Sequence, residues 1–185
     1  MTRTRLAVVA LLAAGGITAG LLLGGGGNSN PAVAHVGGET ITRDQLDATV
    51  DHFRKAAESE GTPFPDENSA RFRTVRNRLL GILVYRTELA QAARCLGVQV
   101  TNIQVLRRMG PNAEAEEGGG TDRFQYETVK AQLLYERIYA KVTRGITAST
   151  IPKRVARKNT AMKRYIDRVE RETKVRYEPG YEPGP

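Results

Sequence analysis

One long stretch of helical periodicity constrains the fold more than any other feature of the sequence. Between about residues 69 and 96, apolar side chains recur every three or four residues, which is the spacing of one helix face. They are Phe72, Val75, Leu79, Ile82, Leu89, Ala93 and Leu96. Gly97 follows, and glycine commonly ends a helix in the left-handed conformation. The sequence therefore predicts one long helix as the largest element of a mostly helical domain.

Further helices are predicted on both sides of this one. Thr42 and Gln45 have the spacing of a capping box, and the stretch after them carries Leu46, Val50, Phe53 and Ala57 on one face. A second capping box at Thr101 predicts a short helix that ends near Gly110. Residues 122–143 and 153–173 repeat the helical spacing. Residues 112–120 form an acidic, glycine-rich loop between helices.

A small amount of β-structure is expected at the two ends of the domain. Two short apolar stretches flank Gly37 and Gly38, which predicts a β-hairpin, because glycine tolerates the positive φ that such turns need. Residues 174–177 are consistent with a third strand. The tail at residues 178–185 is too rich in proline and glycine for regular structure.

The first 31 residues indicate export. Arg3 and Arg5 precede an uncharged apolar stretch at residues 6–23, and basic residues before such a stretch stay on the cytoplasmic side. Residues 1–23 are either a signal peptide that is removed or an N-terminal anchor that ties the chain to the cytoplasmic membrane. Residues 24–31 are a glycine-rich linker. Both alternatives predict an extracytoplasmic domain.

The net charge of +8 concentrates in one predicted helix. That helix is rich in lysine and arginine, a pattern that suits anionic polymers or anionic lipid. An extracytoplasmic location argues against nucleic acid as a partner. The basic residues are Lys153, Arg154, Arg157, Lys158, Lys163, Arg164, Arg168 and Arg171. A smaller arginine group at the start of the long helix is interpreted as a solvated face rather than a ligand site; it comprises Arg71, Arg73, Arg76 and Arg78.

No catalytic or cofactor motif was identified. The single cysteine, Cys95, continues an apolar helical pattern and is expected to be a small buried residue rather than a nucleophile. His35 and His52 belong to no catalytic signature, and no phosphate-binding loop or zinc-ligand spacing is present. We therefore expect no cofactor, no metal and no enzyme activity.

Three segments, taken together in order, resemble the SurA/PrsA chaperone family. VAHVGGETIT at residues 33–42 resembles the family's V-A-x-V-N-G-x-x-I-T opening, with Gly37 in place of the usual asparagine. AARCLGVQVT at residues 92–101 resembles its A-x-x-L-G-(I/V)-x-V-(S/T) segment. VKAQLLYERIYAKV at residues 129–142 resembles the helix that precedes the family's prolyl-isomerase insert.

The resemblance implies a helical SurA N-terminal-like domain over residues 32–177, in which the last strand pairs with the hairpin. It also implies that the chain contains the chaperone domain of the family and lacks its catalytic prolyl-isomerase domain. Only fifteen residues, 145–159, stand where the family inserts a parvulin domain of roughly 90–100 residues. The implied function is a non-catalytic holdase for unfolded or extended exported polypeptides. The alternative is an envelope scaffold that binds anionic polymer or lipid. Phe64, Tyr126, Tyr135 and Tyr139 are the candidate peptide-binding residues.

Overall fold

The computed structural model describes residues 30–110 and 123–182 of the chain. The predicted leader or anchor (1–23), nearly all of the linker (24–31) and the acidic loop (112–120) lie outside these residues. The described elements are β1 (Ala32–Val36), β2 (Glu39–Thr42), α1 (Arg43–Ser59), α2 (Ala70–Cys95), α3 (Asn102–Met109), α4 (Arg123–Val142), α5 (Ile151–Glu172) and β3 (Val175–Tyr177). The prediction of a mostly helical domain with a small sheet is confirmed.

The three strands form an antiparallel sheet in which β1 is the central strand. Val36 pairs with Glu39 across the hairpin and with Val175 of β3 on its other side. The predicted pairing of the last strand with the hairpin is therefore confirmed. Gly37 has a φ of +59°, and a Cβ atom there would lie 2.7 Å from Oε1 of Gln91. Glycine at this position therefore provides both the turn and the close approach of Gln91, which donates to the Val36 carbonyl at 2.7 Å.

Polar side chains at N-cap positions begin the helices where the sequence predicts them. The Thr42 hydroxyl accepts from the Gln45 backbone, and the Gln45 side chain accepts from the Thr42 backbone at 2.9 Å. The Thr101 backbone donates to the Gln104 side chain at 3.0 Å in the same way. Gly97, with a φ of +62°, follows the end of α2. These caps satisfy backbone groups that helix ends leave without partners.

The long helix α2 lies at the centre of the domain and contributes to two hydrophobic clusters. Its middle part packs with the sheet and α1 in the sheet-side cluster, which contains Val33, Leu46 and Leu80. Its last turns pack with α4 and α5 in the carboxyl-side cluster, which contains Leu89, Ile138 and Met162. The predicted stripe of α2 is narrower than the buried surface, because Leu80, Leu83 and Val84 are also buried. A helix covered on several sides does not show a single apolar face.

The prediction that Cys95 is buried is wrong, because its side chain is exposed. Cys95 is the last residue of α2 and lies outside the stripe of Leu89, Ala93 and Leu96 that packs in the carboxyl-side cluster. The residue type suggested burial, whereas its angular position on the helix decided its exposure.

The tail after β3 forms a turn that packs against the domain. The Tyr181 backbone donates to the Glu178 carbonyl at 3.1 Å, and Gly180 has a φ of +85°. Proline followed by glycine in the two central positions favours a type II turn, in which the third residue has positive φ. The described part of the tail is irregular, as predicted, but it has a defined conformation. Within residues 30–110 and 123–182, no helix has the length and apolar character needed to span a membrane.

A candidate binding surface on the last helix

The carboxyl-terminal half of α5 is the part of this helix that is attached to the domain. Met162 is buried, and Tyr165, Ile166 and Val169 pack around it in the carboxyl-side cluster. The Tyr165 hydroxyl donates to the Ala92 carbonyl at 3.3 Å. This contact places the last turns of α2 beside the middle of α5.

The amino-terminal segment of α5 (residues 151–161) precedes Met162, the buried residue of this helix. At 1.5 Å per residue, this segment is about 16 Å long. Every residue from Ile151 to Arg157 is exposed. Ile151 and Val155 retain 68% and 46% of their accessible surface. They lie on the same face as Met162 and Val169, so the apolar stripe continues past the part of the helix that α2 covers.

Polar contacts fix the position of this segment. The Tyr139 hydroxyl of α4 donates to the Asn159 side chain at 3.0 Å, and Arg157 donates to the Thr147 carbonyl at 3.0 Å. A shallow open depression of about 470 Å³ lies along the side of the helix, lined by Ile146, Ala156, Arg157, Thr160, Ala161 and Arg164. The segment is therefore an ordered surface that combines apolar and polar groups.

The charge of the segment is entirely positive. Residues 151–161 contain four cations, Lys153, Arg154, Arg157 and Lys158, and no acidic residue. The first acidic residue of the helix is Asp167, which pairs with Lys163 at 2.7 Å. A helix amino terminus carries partial positive charge, so cations in the first turn reduce helix stability. Basic residues replace the acidic residues that the first turn of a helix prefers. Such a departure from the local preference is consistent with a functional role for the positive charge.

Tyr139, one of the four predicted peptide-binding residues, lies next to this surface because its hydroxyl group donates to Asn159, and Tyr135 is its neighbour on α4. The rings of Tyr135 and Tyr139, one helical turn apart on α4, have centroids 6.4 Å apart. Both belong to the partly buried rim of the carboxyl-side cluster. Burial raises the pKa of Tyr135, and Tyr139 contributes to the rise. Tyr139 therefore presents ring surface and a hydroxyl group beside the α5 segment.

The other two predicted residues lie elsewhere. Phe64 packs against the sheet-side cluster, with an edge contact to Phe72 and the Arg54 guanidinium 5.5 Å from its ring centroid. The Tyr126 hydroxyl donates to the Asn102 side chain at 2.7 Å, at the junction of α4 and α3. Burial raises the pKa of Tyr126, and Glu127 adds to this effect. The four aromatic residues do not share one site.

Ile151 and Val155 were not among the binding residues predicted from the sequence. They continue the spacing of Met162, Tyr165 and Val169 towards the amino terminus, so the periodicity contained the signal. What the periodicity could not show is which part of α5 packs against α2, and therefore that the part of the stripe before Met162 is left uncovered.

A polar layer between α1, α2 and α4 also escaped the sequence analysis. Glu88 and Glu127 are buried. Burial lowers the pKa of Arg86 to about 10, although the negative charge of Glu127 acts in the opposite direction. The Phe124 ring stacks on His52 at 4.0 Å between centroids and lies 4.9 Å from the Arg86 guanidinium carbon. These groups are spread over three helices, so no local spacing reveals them.

Comparison with known proteins identifies the domain. No curated protein matches the chain at a significant level. The family of SurA-like N-terminal domains matches over residues 3–147, which includes all the described elements up to the end of α4. No parvulin isomerase domain is found in the chain. The match covers well over half of the sequence, and the three resembling segments lie within it. The chain belongs to the family of SurA-like N-terminal domains, a chaperone-type family.

Proposed function

We propose that this protein is a non-catalytic extracytoplasmic holdase that captures extended segments of unfolded exported polypeptides on the amino-terminal segment of α5. The observation that carries the proposal is the exposure of Ile151 and Val155 on a stripe that is buried further along the same helix. A stripe that continues into solvent presents apolar surface suited to a partner. Family membership supports the chaperone class.

The size of the surface argues for weak and reversible capture. Full burial of an isoleucine or valine side chain contributes roughly 1.5–3 kcal/mol. Ile151 and Val155 together would therefore supply at most about 3–6 kcal/mol before the entropic cost of association. Such affinities suit a holdase that releases its client without nucleotide. The sequence carries no phosphate-binding loop that could drive a cycle.

The four cations give the surface a preference among clients. Arg154 and Lys158 flank the apolar pair on the helix, whereas Lys153 and Arg157 lie on the opposite face, so segments that alternate apolar and acidic residues complement this surface best. Tyr135 and Tyr139 of α4 would extend the same surface. Phe64 and Tyr126 would contact other parts of a long client. The contribution of these charges to client binding should decrease as the salt concentration rises, because exposed charges are screened beyond about 8–10 Å at physiological ionic strength.

The proposal is tested by suppression of aggregation. A chemically denatured substrate protein is diluted into buffer with residues 30–185, and light scattering is followed at low and high salt. Replacing Ile151 and Val155 with serine should abolish most of the suppression. Ile103→Ser is the matched control, because Ile103 is 65% exposed but lies on α3. Equal suppression by the double variant and by the control would reject the α5 site. No suppression by the unmodified protein would reject the holdase function.

The alternative function is an envelope scaffold that binds anionic polymer or lipid. The absence of any acidic residue between Ile151 and Ala161 favours it. Replacing Lys153 and Arg154 with glutamine should then abolish sedimentation with vesicles rich in phosphatidylglycerol, while Ile151→Ser retains it. If the protein is a holdase, Ile151→Ser should reduce the suppression of aggregation at high salt, whereas replacing Lys153 and Arg154 with glutamine should leave it nearly unchanged. The two functions are therefore distinguishable with the same variants.

The extracytoplasmic location belongs to the same proposal. It is supported by Arg3 and Arg5 before the apolar residues 6–23, and by the family, whose members act outside the cytoplasm. A reporter that is active only outside the cytoplasm, fused after Pro185, should be active. Replacing Leu11 and Leu12 with aspartate should abolish that activity, whether residues 1–23 are removed or retained as an anchor. An inactive reporter on a well-expressed fusion would reject the location.

A further inference from the structure

The described part of the C-terminal tail lies near the start of α2, where two side chains bind its backbone. Arg76 donates through Nη2 to the Gly180 carbonyl, and the Asn77 side chain donates to the Glu182 carbonyl at 2.6 Å. Both acceptors are main-chain oxygens on alternate residues of the tail. Every residue carries such an oxygen, so these contacts recognise main-chain groups rather than particular side chains.

Between the two carbonyls, the Tyr181 ring packs on Arg76. The guanidinium carbon lies 4.4 Å from the ring centroid. A planar guanidinium can donate from its edge and stack on an aromatic ring with its face, so one side chain makes both contacts. Arg76 also donates to the Asn77 side chain at 3.2 and 3.3 Å, which orients the two groups together. Tyr181 reaches the sheet-side cluster beneath.

Arg76 differs in this respect from the other arginines of its group. Arg71, Arg73 and Arg78 are exposed, as predicted for a solvated face, whereas Arg76 is half-buried against the tail. The interpretation of the arginine group as a solvated face is therefore wrong for Arg76. Its position on α2 turns it towards Tyr181, and the spacing of the arginines alone did not reveal this.

The covalent connection of the tail explains how so few contacts can hold it. The Glu178 backbone donates to the Val33 carbonyl at 3.0 Å, and the following turn directs Tyr181 back to α2. A tethered segment has an effective concentration of the order of millimolar, so weak contacts suffice for occupancy. A free segment that makes the same contacts would need only a modest advantage to replace it.

We propose that Arg76 and Asn77 form a second peptide-binding site, which takes a segment that turns like the tail and carries an aromatic residue between two free backbone carbonyls. Residues 180–182 of this chain occupy it in cis, and an incoming polypeptide gains access by displacing them. The site adjoins the sheet-side cluster and shares no residue with the α5 surface. It therefore does not depend on the function proposed for α5.

The test measures binding of a labelled peptide in trans. A fluorescein-labelled peptide with the sequence of residues 178–185, EPGYEPGP, is titrated with the full-length chain and with a chain that ends at Pro179. The shorter chain should bind at least about tenfold more tightly, because its own tail no longer competes. In the shorter chain, Arg76→Ala should weaken binding by a similar factor, whereas Arg78→Ala should leave it unchanged. A peptide with alanine at the position of Tyr181 should also bind more weakly.

Two results would overturn the proposal. One is a shorter chain that keeps its helical circular dichroism but does not bind the peptide. The other is equal affinity in the full-length and shorter chains. If the shorter chain fails to fold, hydrogen exchange on the full-length chain decides the question. An excess of unlabelled peptide should then accelerate exchange at the Tyr181 amide, and an unchanged rate would show that the tail is a fixed structural strap.

Discussion

Removal of β3 should destabilise the whole domain, because this strand completes the sheet around β1. Two nested truncations isolate its contribution. A chain that ends at Pro179 loses only the contacts of the tail with α2, whereas a chain that ends at Thr173 loses β3 as well. The first truncation is therefore the matched control for the second.

The magnitude follows from the contacts that separate the two chains. The Gly37 backbone donates to Lys174 at 2.8 Å, and Glu178 donates to Val33 at 3.0 Å. At roughly 0.5–1.5 kcal/mol net for each hydrogen bond, the pair contributes about 1–3 kcal/mol. Partial burial of Val175 and Tyr177 against the sheet-side cluster adds roughly 1–1.5 kcal/mol each. The hydrogen bonds of the β1–β3 ladder are lost as well, so the expected difference in the free energy of unfolding is at least about 3–6 kcal/mol.

This loss is a large fraction of the 5–15 kcal/mol that stabilises a typical domain. Urea unfolding, followed by circular dichroism at constant protein concentration, measures it directly. The chain that ends at Thr173 should unfold at a much lower urea concentration than the chain that ends at Pro179. The same midpoint and slope for both would show that β3 contributes little and that our account of the sheet is incorrect.

Further predictions address the caps, the core, the phenol groups and the chemistry. Thr42→Ala should remove one cap and cost about 1 kcal/mol in urea unfolding, whereas Thr62→Ala, at an exposed loop position, should cost little. Leu80→Ala, at a fully buried position of α2, should cost about 2–5 kcal/mol in the same assay. Burial raises the pKa of Tyr85 to about 12 from an ordinary value of 10.0, so the folded chain keeps a proton that the unfolded chain loses. Stability should therefore fall as pH rises from about 10 towards 12, and Tyr85→Phe should remove that part of the decline; an identical decline in the variant would contradict the assignment. Residues 30–185 should not accelerate cis–trans conversion of a proline peptide above background, and a rate that survives repurification would contradict the absence of isomerase activity.

The helices and the sheet could be predicted because their signals are local. The capping pair at Thr42 and Gln45, the glycine turn at Gly37 and the stop at Gly97 each depend on a few neighbouring residues. The pairing of β3 with β1 is not local. It was expected only because the resemblance to a known family implied it.

The candidate sites could be predicted only in part, because both depend on how elements far apart in the sequence pack together. The periodicity marks Ile151 and Val155 as members of an apolar stripe, but their exposure depends on which turns of α5 pack against α2. Arg76 is one of several similar arginines in the sequence. It differs from them because the turn at Gly180 brings Tyr181 to its guanidinium group.

The central position of β1 also has a consequence for the order in which the chain folds. Val36 and Val175 lie about 140 residues apart, and contacts of such long separation form slowly because a large loop must close first. During synthesis β1 and β2 emerge early, whereas β3 follows after the five helices of the described residues. Until then, one edge of β1 carries free backbone donors and acceptors beside the apolar side chains of Val33 and Val36, an arrangement that favours pairing with other chains. A protein proposed to guard other chains against aggregation would thus pass through an aggregation-prone stage of its own.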